Sequence, residues 1–311
     1  MNCAFAALSM AGLGVILLAP RTEGVDDLKP SGGKLLIAVG DSLPGVPLGD
    51  QFHGLVLLDP ENGERKPIGT PDLEGGRLSP DARFFAGIDG GGHVGIWIGD
   101  LTGKTPRKRI FDRSGNVMWS GDGKQIVISA RIGRGKHETY RVNSDGSGLT
   151  KLPIPETELV TDWSRDGIWL ASWNPVRTTR EIHILLTHPD GTAAHEIVNE
   201  EGAGGNFRIS QDGREVVFAI SQGRGRKTDP FRLGRQRRWN RSEKAPVQNR
   251  RRADLMPHWS PEGSRLALGL RWNGRPPIGN SDRIMIINRD GKDARTLSLP
   301  PMWRLTLDDW R

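Results

Sequence analysis

From residue 34 onward the apolar positions fall into short runs, and polar, glycine-rich corners interrupt them at regular intervals. One corner type recurs: Ser79-Pro-Asp81-Ala82, Ser120-Gly-Asp122-Gly123, Ser164-Arg-Asp166-Gly167, Ser210-Gln-Asp212-Gly213 and Ser260-Pro-Glu262-Gly263. The serines are 41 to 50 residues apart. An aliphatic or aromatic run follows each corner: Phe84–Ile88, Ile126–Ser129, Trp169–Trp173, Val216–Ala219 and Leu266–Leu268. A Trp-bearing stub precedes three of them, at Met118-Trp119, Asp162-Trp163 and His258-Trp259. Asp can bond its own backbone and Gly accepts positive φ, so each corner predicts a tight turn between two strands.

A second hairpin follows in most units. Leu55–Leu58 meets Asp59–Gly63, Ile96–Ile98 meets Asp100–Gly103, Tyr140–Val142 meets Asn143–Gly146, Ile182–Leu186 meets Asp190-Gly191, and Ile284–Ile287 meets Asn288–Gly291. Two hairpins make four strands, a to d. A lone four-stranded sheet cannot bury both faces, and a period of roughly 40–50 residues suits units that stack around an axis.

The pattern P-x-W-S-P-[DE]-G-x-x-[IL]-A-[FL], then I-x-[IV]-x-[ND]-x-D-G, resembles the propeller repeat of the TolB family over residues 34–311. The resemblance implies an all-β fold, a six-bladed β-propeller of four-stranded antiparallel blades. TolB itself carries an α/β domain before its propeller, and this chain has no room for one between residue 1 and residue 34. The expected blades are 34–68 plus 301–307, 74–111, 116–152, 159–198, 205–250 and 255–299. Blade one begins at Lys34–Val39 without a Trp-bearing strand before it. Pro301-Met-Trp303-Arg304 resembles Pro257-His-Trp259-Ser260, so 301–307 is expected to supply that strand and close the ring, which removes exposed edges.

Residues 3–19 are apolar and have the length of a secretory signal core or a short membrane anchor. No Lys or Arg precedes them, and Cys3 stands at the start of the run, ahead of its apolar core, where it does not serve as a lipoprotein acceptor. The expected organisation is signal peptide or anchor over 1–22, linker over 23–33 and propeller over 34–311. That places the protein in the periplasm or outside the cell, touching membrane through its N-terminal segment alone. The lack of any cysteine after Cys3 agrees with a fold large enough to need no disulfide.

Charge changes the picture in one place. The chain has 44 Lys and Arg against 37 Asp and Glu. Between Arg224 and Arg252 lie twelve basic residues against Asp229 and Glu243, so the basic excess belongs to this segment. Taken at face value it is a polyanion patch. Yet Phe231–Gln248 lacks the alternation and the Asn/Asp-Gly turn expected of blade five. Codons can be chosen for Arg232 to Val247 that, read one nucleotide later, spell V-L-D-A-N-G-G-G-T-E-A-K-K-L-L, the missing strand, turn and strand. A local shift of frame is therefore expected here, and nucleic acid is not the expected partner.

Candidate chemistry is sparse. Gly40-Asp41-Ser42-Leu43 matches the nucleophile motif of GDSL esterases, but the Asp-x-x-His partner is absent, since Asp254 and His258 are one residue too far apart. His53, His93, His137, His183, His188, His195 and His258 share no short metal spacing, and no metal or cofactor is expected. Asn143-Ser-Asp145-Gly146 lacks the ligand spacing of a calcium loop and reads as a turn. The loops joining strands b and c are richer. They carry Arg131, Arg134, Lys136 and His137, then Trp173, Arg177 and Arg180, then Arg224, Arg226 and Lys227, then Arg271, Trp272 and Arg275. Planar guanidinium groups beside aromatics suit carboxylate or phosphate. The expected ligand-binding set is Arg131, Arg134, Trp173, Arg177, Arg224, Arg271 and Trp272.

The expectation is a monomeric, non-enzymatic binding module that takes a protein or an anionic polymer on one loop face. The alternative, implied by the family resemblance, is a polysaccharide lyase or hydrolase using the central face. A third reading, a cytoplasmic scaffold, applies if the N-terminal run is not exported. An enzyme should gather ionisable side chains on the axis, whereas a binder should show Arg and Trp on the loops.

Overall fold

The computed structural model describes residues 33–41, 53–68, 73–89, 94–174, 182–199, 207–221, 231–237, 242–249, 257–270, 283–297 and 303–311. Every regular element among them is a strand, and the strands form six four-stranded sheets. Sheet one holds β1 (Leu35–Asp41), β2 (His53–Leu58), β3 (Arg65–Ile68) and, from the far end of the chain, β24 (Trp303–Trp310). Sheet two holds β4 (Leu73–Leu78), β5 (Phe84–Asp89), β6 (Ile96–Asp100) and β7 (Lys108–Phe111). Sheet three holds β8 (Gly115–Trp119), β9 (Gln125–Gly133), β10 (Lys136–Asn143) and β11 (Thr150–Lys151). Sheet four holds β12 (Leu159–Trp163), β13 (Leu170–Trp173), β14 (Ile182–Thr187) and β15 (His195–Asn199). Sheet five holds β16 (Phe207–Ile209), β17 (Glu215–Ser221), β18 (Phe231–Arg237) and β19 (Ser242–Asn249). Sheet six holds β20 (Pro257–Trp259), β21 (Arg265–Leu270), β22 (Arg283–Asn288) and β23 (Arg295–Leu297). All pairings are antiparallel, the architecture of a β-propeller.

The serine corners set the a–b turns. Ser120 Oγ donates to Asp122 Oδ1 at 2.6 Å and accepts the Gln125 backbone N–H at 2.9 Å. Ser164 and Ser210 repeat the pattern with Asp166 and Asp212. The serines are buried, so the turn satisfies its own polar groups where water cannot. Gly123, Gly167, Gly213 and Gly263 sit at φ 64–78°, and Ala82 takes the same place at φ 54°.

Neighbouring sheets share apolar clusters. Leu36, Leu55 and Leu57 pack with Leu78 and Phe85 between sheets one and two. Ile96 and Phe111 meet Val117, Trp119 and Ile126 between two and three. Met118 and Val127 meet Val160 and Trp163 between three and four. Ile184 and Leu186 meet Phe207 and Phe218 between four and five. Leu35, Ile37, Leu307 and Trp310 meet Ala267, Ile284 and Ile286 between one and six. Sheets five and six are bridged by Arg289, which pairs with Glu215 at 3.1 Å and Asp212 at 3.2 Å and lies over the Trp259 ring.

Two expectations need correction. The C-terminal strand is Trp303–Trp310 rather than 301–307, and Trp303 is not the counterpart of Trp259. Leu35 pairs with Trp310 as Leu266 pairs with Trp259, so Trp310 and Asp309 occupy the places of Trp259 and His258. Burial decides the register: Trp310 is 1% exposed and Asp309 4%. The second correction concerns Phe231–Gln248, read as lacking strands. It forms β18, paired to β17, and β19, paired to β18. The pairing shifts between Arg232 and Gly234, as expected of a strand pair not set by an Asn-Gly turn.

Candidate functional site

The residue two places before each corner serine lies on an innermost strand. These residues are Arg77, Met118, Asp162, Arg208 and His258, with Asp309 in the sixth place. Arg77, His258 and Asp309 converge from three different sheets, while Met118 packs between sheets three and four. Arg77 Nη1 is 3.3 Å from His258 Nδ1 and 3.6 Å from Asp309 Oδ1, which joins sheets two, six and one. Asp309 Oδ2 accepts the Leu78 backbone N–H at 3.2 Å and the Arg311 Nε–H at 3.0 Å. Asp162 Oδ2 accepts the Ile209 backbone N–H at 2.7 Å, so both aspartates reach the neighbouring sheet in the same way. The adjacent tryptophans reach in the opposite direction. Trp119 Nε1 donates to the Arg77 carbonyl at 3.0 Å and Trp259 Nε1 to the Arg208 carbonyl at 3.5 Å.

Burial dominates the electrostatics of this ring. It raises the Asp162 carboxyl, against the pull of Arg208, Arg77 and Arg311. It lowers the Arg208 guanidinium to about 9, with Arg77 pushing the same way and Asp162 and Asp309 opposing. It drives the His258 imidazole well below its ordinary range, helped by Arg208, Arg77 and Arg311. At the turn end of the axis Arg165 crosses from sheet four to donate to the Pro261 carbonyl of sheet six at 3.2 Å.

The second feature is the β9–β10 hairpin. Arg131, Arg134 and Lys136 are exposed on it, and among the described residues none has an ion-pair partner. Arg131 Nε donates to the Gly133 carbonyl at 3.2 Å, which stiffens the tip. At its base Glu138 accepts from Lys151 Nζ at 2.7 Å, Tyr140 Oη at 2.6 Å and Arg113 Nη1 at 3.1 Å. Lys151, Tyr140 and Arg113, in that order, hold Glu138 down at about 2. Arg113 also lies over the Phe111 and Tyr140 rings. His137 is 7% exposed and is lowered by burial and by Arg131.

Of the expected ligand set, Arg131 and Arg134 share this hairpin. Trp173 ends β13 half-buried, packed on the Ala171–Phe218 cluster, so it belongs to a sheet interface as much as to a loop. Arg177, Arg224, Arg271 and Trp272 lie outside the described residues, as do the Ser42 side of the GDSL match and residues 3–19. Asn143 and Asp145 bond Ser147 as turn residues. Among the described residues no three His, Cys, Asp or Glu gather as a metal site, and no helix is long and apolar enough to cross a membrane. The axial ring went unread because its members differ in type. The shared signal was position, two before the serine, and the matching pairs Asp162-Trp163 and Asp309-Trp310.

Six antiparallel four-stranded sheets, five of them turning at a serine corner, and a C-terminal strand in the first sheet define a β-propeller. Within that class the fold is TolB-like. TolB from Acinetobacter baumannii superposes with a TM-score of 0.67 at 17% identity, over 88% of this chain and 67% of that one. A chain of a nidogen/laminin complex gives 0.58 at 11% identity, over 89% and 98%. Oligogalacturonate lyase from Vibrio parahaemolyticus gives 0.55 at 14%, over 79% and 71%. In sequence, dipeptidyl-peptidase 5 from Porphyromonas endodontalis is 30% identical over 112 residues, 34% of this chain and 16% of that protein's length. No protein-family model matches the chain.

Proposed function

We propose that the protein is a non-enzymatic binding propeller, a closed six-bladed ring behind an export segment, working in the periplasm or outside the cell. It takes a protein or an anionic polymer on the face formed by its b–c loops. The observation that carries this reading is the β9–β10 hairpin, which presents Arg131, Arg134 and Lys136 to solvent without partner carboxylates among the described residues. Closure is supported by the order of the inner strands: β24, β4, β8, β12, β16 and β20 each neighbour the next, and β20 neighbours β24. The nidogen/laminin likeness supports a propeller face that receives a protein. Arg177, Arg224, Arg271 and Trp272 belong to the same proposed face.

The alternative, a polysaccharide lyase or hydrolase, draws on the convergence of His258, Arg77 and Asp309 and on the oligogalacturonate lyase likeness. Against it, Asp309 is occupied by Leu78, Arg77 and Arg311, and among the described residues no other carboxylate pairs with the histidine.

One titration separates the two. Polygalacturonate is added to the purified chain, and both binding and the ultraviolet absorbance of unsaturated uronate are followed. Binding is expected without turnover, weakening with salt. Changing Arg131, Arg134 and Lys136 together to Ala should weaken it roughly tenfold or more, as three exposed charges allow. Equal affinity in the triple variant would sink the hairpin reading. Product formation that disappears in His258→Gln would replace binding with catalysis.

A further inference from the structure

Arg208 is a buried cation with an unusual set of partners. Its Nη1 donates to the Phe207 carbonyl of its own strand at 2.7 Å, and its Nε–H has no hydrogen-bond partner among the described residues. No carboxylate there comes within ion-pairing distance of it, because Asp162 is turned to the Ile209 N–H. His258 is 2% exposed and faces the same group of charges. Its Nδ1 lies 3.3 Å from Arg77 Nη1, and a guanidinium can only donate, so Nδ1 accepts. A neutral imidazole that accepts at Nδ1 carries its proton on Nε2. That Nε2–H has no partner either; the Leu307 backbone pulls weakly on the ring without completing a hydrogen bond at Nε2. Two buried donors are thus left over on the axis, and both call for an acceptor.

The charge around them has a sign. Among the described residues, Arg77, Arg208, Arg311 and Arg165 act on this end of the axis, against Asp162 and Asp309. Asp309 is already shared among Arg77, Arg311 and the Leu78 N–H, so the cationic surplus falls on Arg208. A buried cation without a counter-charge is costly, and an anion relieves it.

We propose that the propeller axis, at the a–b turn end, binds a small oxyanion (a carboxylate or phosphate group) through Arg208 Nε–H and His258 Nε2–H. The site is separate from the cationic hairpin, which projects from the opposite face, and it stands or falls independently of the binding reading above. The guanidinium and imidazole N–H groups each give one directed bond, and Arg77 holds the imidazole tautomer from behind as a positioning residue.

The test uses the whole purified chain, with inorganic phosphate and acetate titrated separately by calorimetry. The histidine side-chain nitrogen resonances are followed in parallel. Saturable binding of one oxyanion per chain, with Kd about 1 mM or tighter, is expected, together with a shift confined to the His258 Nε2 signal. Tighter phosphate than acetate assigns a tetrahedral ligand, and the reverse order assigns a carboxylate. Arg208→Met and His258→Phe should each weaken binding at least tenfold, while Lys104→Met on the exposed turn between β6 and β7 should not. If Arg208→Met fails to fold, the wild-type resonance shift and His258→Phe still decide. No saturation with either anion by about 10 mM, or an equal loss in Lys104→Met, overturns the proposal.

Discussion

Ala82 is the residue at which the repeat departs from its own rule. Four sister corners place glycine at φ 64–78°, and Ala82 holds φ 54° at the same point. A Cβ in the left-handed region costs about 1–2 kcal/mol, and glycine's freer unfolded chain returns part of that. Ala82→Gly is therefore expected to raise stability by up to about 1 kcal/mol in urea unfolding; a loss would show that the turn tolerates alanine without strain. His258 carries the clearest pH dependence. Burial, with Arg208, Arg77 and Arg311, depresses its folded pKa. The unfolded chain then binds the proton first, so this contribution is complete above about pH 6.5 and is lost as pH falls below it. Asp162 is shifted upward by burial and works in the opposite direction, so the histidine is isolated by comparing wild type with His258→Gln. The variant's stability should fall less between pH 6.5 and 5, by up to about 1.4 kcal/mol per unit. Parallel curves would remove His258 from the account.

At the scale of the strand, the sequence was legible wherever turn chemistry and alternation agreed. The serine corners located the a–b hairpins because Ser Oγ, Asp and Gly each do a separate job there. Register at the C-terminus was less legible. Trp303 and Trp310 both suit an inner strand by composition, and the choice rests on burying Asp309 beside Arg77, a contact made only after folding. The axial ring was hidden for a similar reason: Arg77, Asp162, Arg208 and His258 share a place but no common residue type. Sheet five is the remaining tension. β18 and β19 pair although Phe231–Gln248 carries neither strand alternation nor an Asn-Gly turn. Replacing Arg232–Pro246 by V-L-D-A-N-G-G-G-T-E-A-K-K-L-L supplies both. The replaced chain is expected to melt several degrees higher, since a matched hairpin adds on the order of 1 kcal/mol or more. An unchanged or lower melting temperature would mean that the written residues already suit the sheet.

Across the whole molecule the first and last strands depend on each other. β1 is paired on one side by β2 and on the other by β24, whose Trp310 fills the space between sheets one and six with Leu35, Ile284 and Ile286. Arg265 lies over the Trp310 ring and pairs with Glu61, which ties the same two sheets from outside. Without β24, the edge of β1 is left open, sheet two loses the Asp309 bond to Leu78, and Arg77 loses its carboxylate partner. These losses fall at one seam but act on three sheets. A chain ending at residue 302 is therefore expected to aggregate or to unfold without a cooperative transition, because an unpaired inner edge templates association. Trp310→Ala is the milder probe. It keeps the strand pairing and removes the buried ring, so it should cost about 3–5 kcal/mol while leaving a single transition. If the shortened chain instead melts cooperatively near the wild-type temperature, the sheets are held by their neighbours alone, and the junction of the two chain ends is dispensable to the fold.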